Sequence, residues 1–327
     1  LRAREGLERN NATVGIVGML CRALLDLAAL GRLADVTAAM TVEGLFGTDR
    51  AFDADLQALR PQVGQAVSAR NLQRLLAGSP IVASHRVGDG RVQDAYSLRC
   101  TPQVHGAALD TVTHARTIAE RELEAAIDNP MILPDGRVES CGNFHGAPVA
   151  FVCDFLAIAT SELCAISERR TDRLLDVARS HGLPPFLTAD AGVNSGLMIA
   201  HYTQAAMAME AQRLAVPSST QSLPTSAMQE DHVSNGWAAA RKLRRSVDTL
   251  RRVLAVELVC AAAAIDLRAP LLPGAGTGAA LAVLRAHVAG PGPDRWLSPD
   301  LRRAEQLLAD GSVLDAVEST IGPLEVL

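Results

Sequence analysis

Several long stretches of this sequence carry apolar residues at every third or fourth position, and that spacing confines most of the chain to helices. A helix of 3.6 residues per turn places such residues along one face. The clearest example covers residues 103–127, and it ends before Asn129-Pro130 because the residue before a proline avoids helical geometry. Its apolar positions are Val104, Ala107, Ala108, Val112, Ala115, Ile118, Ala119, Leu123 and Ala126.

The same spacing predicts three more long helices and several shorter ones. The long ones cover residues 148–178, 194–214 and 231–266, and a shorter one covers 56–76. Amphipathic segments after residue 293 predict short helices near the C-terminus. Helices of about 20 or more residues exceed the usual length and are typical of bundles that leave faces for other subunits.

Composition supports a helical rather than a β-rich fold. Of the 327 residues, 48% are hydrophobic, enough for a large core, whereas only 3% are aromatic. β-Sandwiches favour aromatic and β-branched residues, whereas alanine and leucine favour helices. We therefore predict an all-α fold in one elongated domain over residues 1–327. A bundle of long, roughly parallel helices covers about 56–268, and shorter helices cover about 269–327.

Charge, cysteine usage and hydropathy exclude several classes of function. The formal net charge of −5 and the lack of a basic stripe argue against a nucleic-acid partner. The six cysteines form no CxxC pair, which indicates reduced thiols in a cytoplasmic protein and no metal. Apolar runs fall short of the roughly 18 residues of a membrane span, so we expect no membrane partner. The sequence starts at Leu1 without an initiator methionine, as expected of a fragment, a cleaved chain or a subunit.

Polar residues at three-residue spacing precede the helix predicted at residue 103. One helical turn would place Gln93, Tyr96 and Arg99 on one face. A guanidinium suits a carboxylate, and a phenol can act as a general acid or base. The alternative is an ordinary helix start with a surface arginine, which the spacing alone favours.

A second polar segment, residues 140–146, lies directly before a predicted long helix. Phe144 and His145 are flanked there by glycines, which let the backbone approach a ligand closely. The start of the following helix favours a negatively charged ligand. The alternative is a capping loop in which the polar side chains satisfy the local backbone.

A third polar segment contains Gln229, Glu230, Asp231 and His232 at another helix start. Adjacent helical residues do not share a face, so these side chains make a poor metal site. The alternative is that the acidic residues complement the positive end of the helix dipole. A fourth segment, residues 190–196, has the glycines of a tight helix entry and is predicted to be structural.

Seven segments, in this order and spacing, resemble the histidine ammonia-lyases, a branch of the aromatic amino-acid ammonia-lyase family. The resemblance covers nearly the whole chain and is weakest at both ends. The segments are residues 93–100, 128–130, 142–145, 167–170, 183–187, 192–196 and 229–234.

The resemblance implies a fold, a reaction and a cofactor. It implies an all-α, L-aspartase/fumarase-like bundle that forms a homotetramer, in which each active site draws residues from three subunits. The implied reaction removes ammonia from an aromatic amino acid and gives urocanate when this small-molecule substrate is L-histidine. The family is similar in using a methylidene-imidazolone (MIO) electrophile, formed from an Ala-Ser-Gly tripeptide, and no metal.

The resemblance also implies individual roles for residues. Tyr96 matches an acid or base near the substrate β-carbon, and Arg99 matches the arginine that pairs with the carboxylate. Gln93 and Phe144 match residues around the electrophile and the substrate ring. Glu230 matches the acid that meets the imidazole in the histidine enzymes, and relatives that act on phenylalanine or tyrosine usually lack it.

Three more residues complete the site that the resemblance implies. Gln229 and His145 lie beside the positions above and are assigned to substrate binding. Residues 6–13 resemble the family's Gly-Leu-x-x-x-Asn-Gly-Thr, which would place Asn11 near the electrophile and the carboxylate.

The chain departs from the family pattern at several positions. These 327 residues contain no Ala-Ser-Gly, Ala12 replaces a glycine, and Met228 replaces a common asparagine. We therefore expect this chain alone to be inactive, with the tripeptide supplied by a separate N-terminal chain or a longer form. The alternatives are a lyase or aminomutase for phenylalanine or tyrosine, and a non-catalytic helical relative.

Overall fold

The computed structural model describes residue 6 and residues 13–326, and the regular secondary structure of these residues is almost entirely helical. The all-α prediction is therefore confirmed. Single-turn 3₁₀ elements cover Arg50–Phe52, Pro185–Leu187 and Ser226–Met228. Among the described residues the α-helices are α1 (Val14–Gly44), α2 (Ala54–Ala58), α3 (Val63–Leu76), α4 (Pro80–Ala83), α5 (Tyr96–Arg99), α6 (Thr101–Leu123), α7 (Ala147–Leu175), α8 (Met198–Leu214), α9 (Gly236–Asp266), α10 (Ala275–Arg285), α11 (Ser298–Ala309) and α12 (Ser312–Ile321).

A small hairpin interrupts the helices between α6 and α7. Strand β1 (Met131–Ile132) pairs antiparallel with β2 (Val138–Glu139). The connecting turn closes where the Leu133 N–H donates to the Arg137 carbonyl at 2.9 Å. Gly136 adopts φ +86° in this turn, a conformation that glycine tolerates better than other residues.

Five long helices, α1 and α6 to α9, form the bundle, and contacts near their ends show the direction of one helix relative to another. Helices α1 and α9 point the same way: Trp237 packs on the backbone at Gly15 near both starts, and Arg268 Nε donates to the Gly44 carbonyl at 2.9 Å near both ends. Helix α8 runs against α7, because Ser219 after its end donates to Asp154 near the start of α7. The helices are thus roughly parallel in axis and mixed in direction.

The longest predicted helices are confirmed with small shifts at their ends. The helix predicted over residues 56–76 is instead two helices, α2 and α3. Pro61 lies between them, and the following Gln62 is extended (φ −90°, ψ 121°). The helix predicted from residue 231 begins only at Gly236, because Asn235 before it is left-handed (φ 50°).

Sequence periodicity missed α1, which has 31 residues and extends the bundle to before residue 56. Every residue from Leu33 to Gly44 is buried, so this part of the helix has no solvent-exposed face. A helix that is buried all round shows no apolar stripe, which is the signal that predicted the others. Helix α1 packs against α9, α6, α7 and α3 in the centre of the core.

Two helices, α1 and α7, are long and apolar enough by length and composition to cross a membrane. The expectation that no segment reaches this threshold is therefore wrong. Core helices of soluble proteins pass the same test, and both helices contribute to the buried core of the bundle.

A buried ion pair lies at the centre of the bundle. Arg170 of α7 and Glu257 of α9 are both fully buried, with Arg170 Nε 2.5 Å and Nη2 3.0 Å from the two carboxylate oxygens. The same carboxylate accepts hydrogen bonds from the hydroxyls of Thr37 and Thr41 in α1 and of Ser167 in α7. Three helices therefore meet on one carboxylate.

The hydrogen-bond network continues from Arg170 to two further helices. Arg170 Nη1 donates to His105 Nε2 of α6 at 3.5 Å, and His105 Nδ1 donates to Asp35 of α1 at 2.8 Å. Asp35 also accepts from Ser68 and Asn71 of α3, at 2.7 and 3.0 Å. Because buried polar groups must be paired, this network fixes how far each helix can slide along its neighbours.

We expect Glu257→Gln to lower the free energy of unfolding by about 3–5 kcal/mol, because it leaves the Arg170 guanidinium buried without a counter-charge. The measurement is denaturant unfolding followed by circular dichroism. Glu325→Gln is the matched control, since its partner Arg70 lies at the surface and the pair is about half exposed; there we expect less than about 1 kcal/mol. Equal losses in both variants would contradict the assignment of the network as the structural centre.

Helices α3 and α6 cross so closely that only glycine fits between them. A Cβ on Gly106 would lie 2.2 Å from the backbone nitrogen of Gln65. We expect Gly106→Ala to lower the free energy of unfolding by about 1–3 kcal/mol, because the new methyl group would force the two helices apart. Gly18 in α1 has open space around it, so Gly18→Ala should stabilise by up to about 1 kcal/mol. Thermal unfolding of both variants tests the difference, and a tolerated Gly106→Ala would show that the crossing is looser.

Candidate active site

Tyr96 and Arg99 lie together on the single-turn helix α5. The Arg99 guanidinium carbon is 4.6 Å from the centroid of the Tyr96 ring, and Tyr96 as a residue is 72% exposed. Arg99 Nε donates to the Asp94 carbonyl at 2.9 Å. Within the described residues, neither terminal nitrogen of Arg99 makes a hydrogen bond, so both are free to donate to a carboxylate.

Gln93 does not share the helical face predicted for it. It lies before α5, in the irregular segment that follows Arg91. Its side chain is exposed, and its amide has no hydrogen-bond partner among residues 13–326. Gln93 is therefore close in sequence to Tyr96 and Arg99 but is held by a different piece of backbone.

Asp94 anchors this loop to the end of α1. Its buried carboxylate accepts from the Thr48 N–H at 2.7 Å and from Arg91 Nη1 at 3.3 Å. Arg91 also donates to the Phe46 carbonyl and to His181 Nε2. Burial lowers the pKa of His181 and the nearby Arg91 lowers it further, so its neutral imidazole can accept that hydrogen bond.

A second group of predicted residues comes together on other loops. The rings of His145 and His232 are stacked, with centroids 5.7 Å apart and an interplanar angle of 4°. His145 Nε2 donates to the His232 carbonyl at 3.1 Å. Phe144, beside His145, is 46% exposed.

This second group lies at the start of α1. A Cβ on Gly146 would lie 3.1 Å from Ser234 Oγ and 3.5 Å from Thr13 Cγ2, so the loops before α7 and α9 both reach the first turn of α1. Asn11 lies outside the described residues.

Glu230 lies on an exposed loop and is paired with Thr225. The Thr225 hydroxyl donates to Glu230 Oε2 at 2.8 Å, and the two residues exchange backbone hydrogen bonds of 2.9 and 3.3 Å. The Gln229 N–H donates to the Ser226 carbonyl at 3.1 Å, and its side chain is exposed. The loop therefore presents Glu230 outward in a defined conformation.

One chain does not bring the two groups together. The pair Tyr96 and Arg99 lies near the end of α1, whereas Phe144, His145 and Glu230 lie near its start. At 1.5 Å per residue, the 31 residues of α1 separate these ends by about 45 Å. A site that used both groups would need residues from more than one copy of the chain.

The fourth polar segment is held by the C-terminal part of the chain. Asp294 accepts from the N–H groups of Ser195 and Gly196 at 2.7 and 2.8 Å, and the Asn194 side chain accepts from the Asp294 N–H. These contacts fit the structural role predicted for residues 190–196. Among the described residues, no group of three or more His, Cys, Asp or Glu side chains could hold a metal ion.

Sequence reasoning gave no role to Asp94, Thr225 or His232, although each contacts a predicted site residue or its loop. Asp94 and His232 fall within the segments that carry the family resemblance, which was the available signal. Thr225 offered none, because its contact with Glu230 depends on the path of the loop.

The chain is similar to several known proteins over nearly its whole length. Histidine ammonia-lyase from Streptomyces avermitilis is 59% identical over 325 residues, which cover 99% of this chain and 64% of that protein. The crystal structure of histidine ammonia-lyase from Trypanosoma cruzi has a TM-score of 0.88 and 38% identity, covering 98% of this chain and 60% of that one. Tyrosine aminomutase from Streptomyces globisporus has a TM-score of 0.91 and 32% identity, covering 98% and 64%.

The chain spans less than two thirds of the length of these relatives. Residues 1–286 match the family model described as aromatic amino acid lyase. This match covers most of the chain, and the chain therefore belongs to the aromatic amino acid lyase family.

Proposed function

We propose that this chain is part of a histidine ammonia-lyase, which eliminates ammonia from L-histidine to give urocanate. The observation that carries the proposal is the exposed carboxylate of Glu230. Among the described residues only its Oε2 accepts a hydrogen bond, and Oε1 is left to accept the N–H of an imidazole. An apolar substrate ring would leave that carboxylate without a partner.

Arg99 and Tyr96 act on the amino-acid end of the substrate. The free terminal nitrogens of Arg99 form a planar fork that binds the substrate carboxylate through two hydrogen bonds. The Tyr96 phenol lies under the same guanidinium. Once the carboxylate is bound, the phenol lies near the β-carbon, where it can take or return a proton.

The elimination also needs an electrophile, because an amine is a poor leaving group. In this family an MIO group supplies that chemistry by withdrawing electrons from the substrate amine. The present 327 residues contain no Ala-Ser-Gly from which it could form, so we propose that sequence outside this chain provides it. The exposed Phe144 ring and the unpaired Gln93 amide fit residues that would face such a group.

We propose that the protein works as a homotetramer. The separation of the two residue groups by the length of α1 supports shared sites, because one copy cannot complete a site alone. Helix α7 exposes Phe151, Phe155 and Ile158, which lie on one face at helical spacing. An apolar stripe of this kind on a long helix is typical of a subunit interface.

The tyrosine aminomutase likeness favours a second candidate, a lyase or aminomutase acting on tyrosine or phenylalanine. Glu230 separates the two functions. An enzyme for histidine uses this carboxylate to bind the ring, whereas an enzyme for phenylalanine gains nothing from it.

We expect the full-length protein to form urocanate from L-histidine, followed by its ultraviolet absorbance. Glu230→Gln should lower kcat/KM by about 10- to 100-fold, because it replaces the charged acceptor of the imidazole N–H with a neutral amide. Asp231→Asn is the matched control: this neighbouring carboxylate is also exposed, and its loss should leave kcat/KM little changed. Cinnamate-type products with unaltered turnover in Glu230→Gln would instead establish the second candidate.

A further inference from the structure

We propose that Thr225 is a positioning residue that sets the orientation of the Glu230 carboxylate toward the ring of the substrate. This inference rests on the proposed function and adds a residue to it. Thr225 lies five positions before Glu230, outside every segment that carries the family resemblance.

Thr225 holds Glu230 through both backbone and side chain. The Thr225 N–H donates to the Glu230 carbonyl at 2.9 Å, and the Glu230 N–H donates back at 3.3 Å. The Thr225 hydroxyl donates to Oε2 at 2.8 Å. The two backbone hydrogen bonds fix the position of the Glu230 backbone, and the hydroxyl fixes the position of its carboxylate.

The turn that brings the two residues together is strained. Ser226, Ala227 and Met228 have φ values of 50°, 52° and 73°. Three consecutive left-handed residues that are not glycine are rare, because each side chain crowds the backbone. Such a conformation persists where other contacts fix it, and it concentrates at functional sites.

The base of the loop supplies fixing contacts from outside the turn. The Val233 N–H donates to Ser222 Oγ at 2.8 Å, and the Asn235 amide donates to the Gln221 carbonyl at 2.7 Å. The loop is exposed in this chain, yet these bonds hold its two ends together. Hydrogen bonds at the base of the loop, together with those between Thr225 and Glu230 near its tip, thus hold the strained turn in place.

A free glutamate side chain on an exposed loop would sample several rotamers, and binding a ligand would have to select one of them. Threonine is suited to holding the carboxylate in one rotamer, because its branched Cβ restricts the direction of the hydroxyl. With Oε2 engaged, Oε1 keeps a fixed direction for the imidazole N–H. Thr225 therefore prepares Glu230 for the ring before the substrate arrives.

The test compares Thr225→Val with Thr225→Ser in the full-length protein. Valine keeps the shape and removes the hydroxyl, and we expect the Kd of urocanate by calorimetry and the KM for L-histidine to rise about tenfold. Serine keeps the hydroxyl and should restore most of the affinity. Circular dichroism melts of both variants check that the fold is retained.

A double-mutant cycle with Glu230→Ala tests whether Thr225 changes urocanate affinity through Glu230. If Thr225 acts through Glu230, then Thr225→Val changes urocanate affinity in the wild-type background and not in the Glu230→Ala background. Equal effects in both backgrounds, or no effect in either, overturn the positioning role. If the wild-type protein forms no urocanate, the proposed function itself fails. If it does and Thr225→Val behaves like wild type, only the inference about Thr225 fails.

Discussion

The ion pair between Arg170 and Glu257 is the interaction on which the rest of the structure depends. Both side chains are fully buried, so each needs the other and the hydroxyls around them. Through Thr37 and His105 the same network reaches α1 and α6. Apolar side chains would let long helices slide past one another with little penalty, whereas these hydrogen bonds admit one register. The ends of the helices, and the loops they carry, are placed as a result.

A rigid bundle of long helices determines where chemistry can occur. The short helix α5 at one end carries Tyr96 and Arg99, and loops at the other end carry His145 and Glu230. The length of α1 keeps these ends about 45 Å apart, so the side chains suited to the two ends of an amino acid cannot meet within one copy. Assembly of several copies then becomes part of the proposed catalytic design, since each copy offers half-sites at both ends.

The sequence predicted those helices well that bury one face and expose the other. Apolar stripes located α6 to α9 because each of these helices has an exposed polar face, and they failed for α1, in which residues 33–44 are buried on all sides. Resemblance singled out Tyr96, Arg99 and Glu230, and the structure places the first two on the short helix α5 and the third on an exposed loop. The resemblance could not give the distance between them or the contact of Thr225 with Glu230. The distance depends on the direction in which each helix runs. The contact depends on a left-handed turn, which residues such as Ala227 do not predict because they rarely adopt that conformation.

Mixing two impaired variants of the full-length protein tests the central claim, that a site takes Arg99 and Glu230 from different copies. Arg99→Ala and Glu230→Ala proteins are unfolded together, refolded as a mixture, and assayed for urocanate. If the two residues come from different copies, random assembly restores both in about a quarter of the sites, and activity returns. A refolded mixture with no more activity than the separate variants would show that both residues act within one copy, and the account would be wrong.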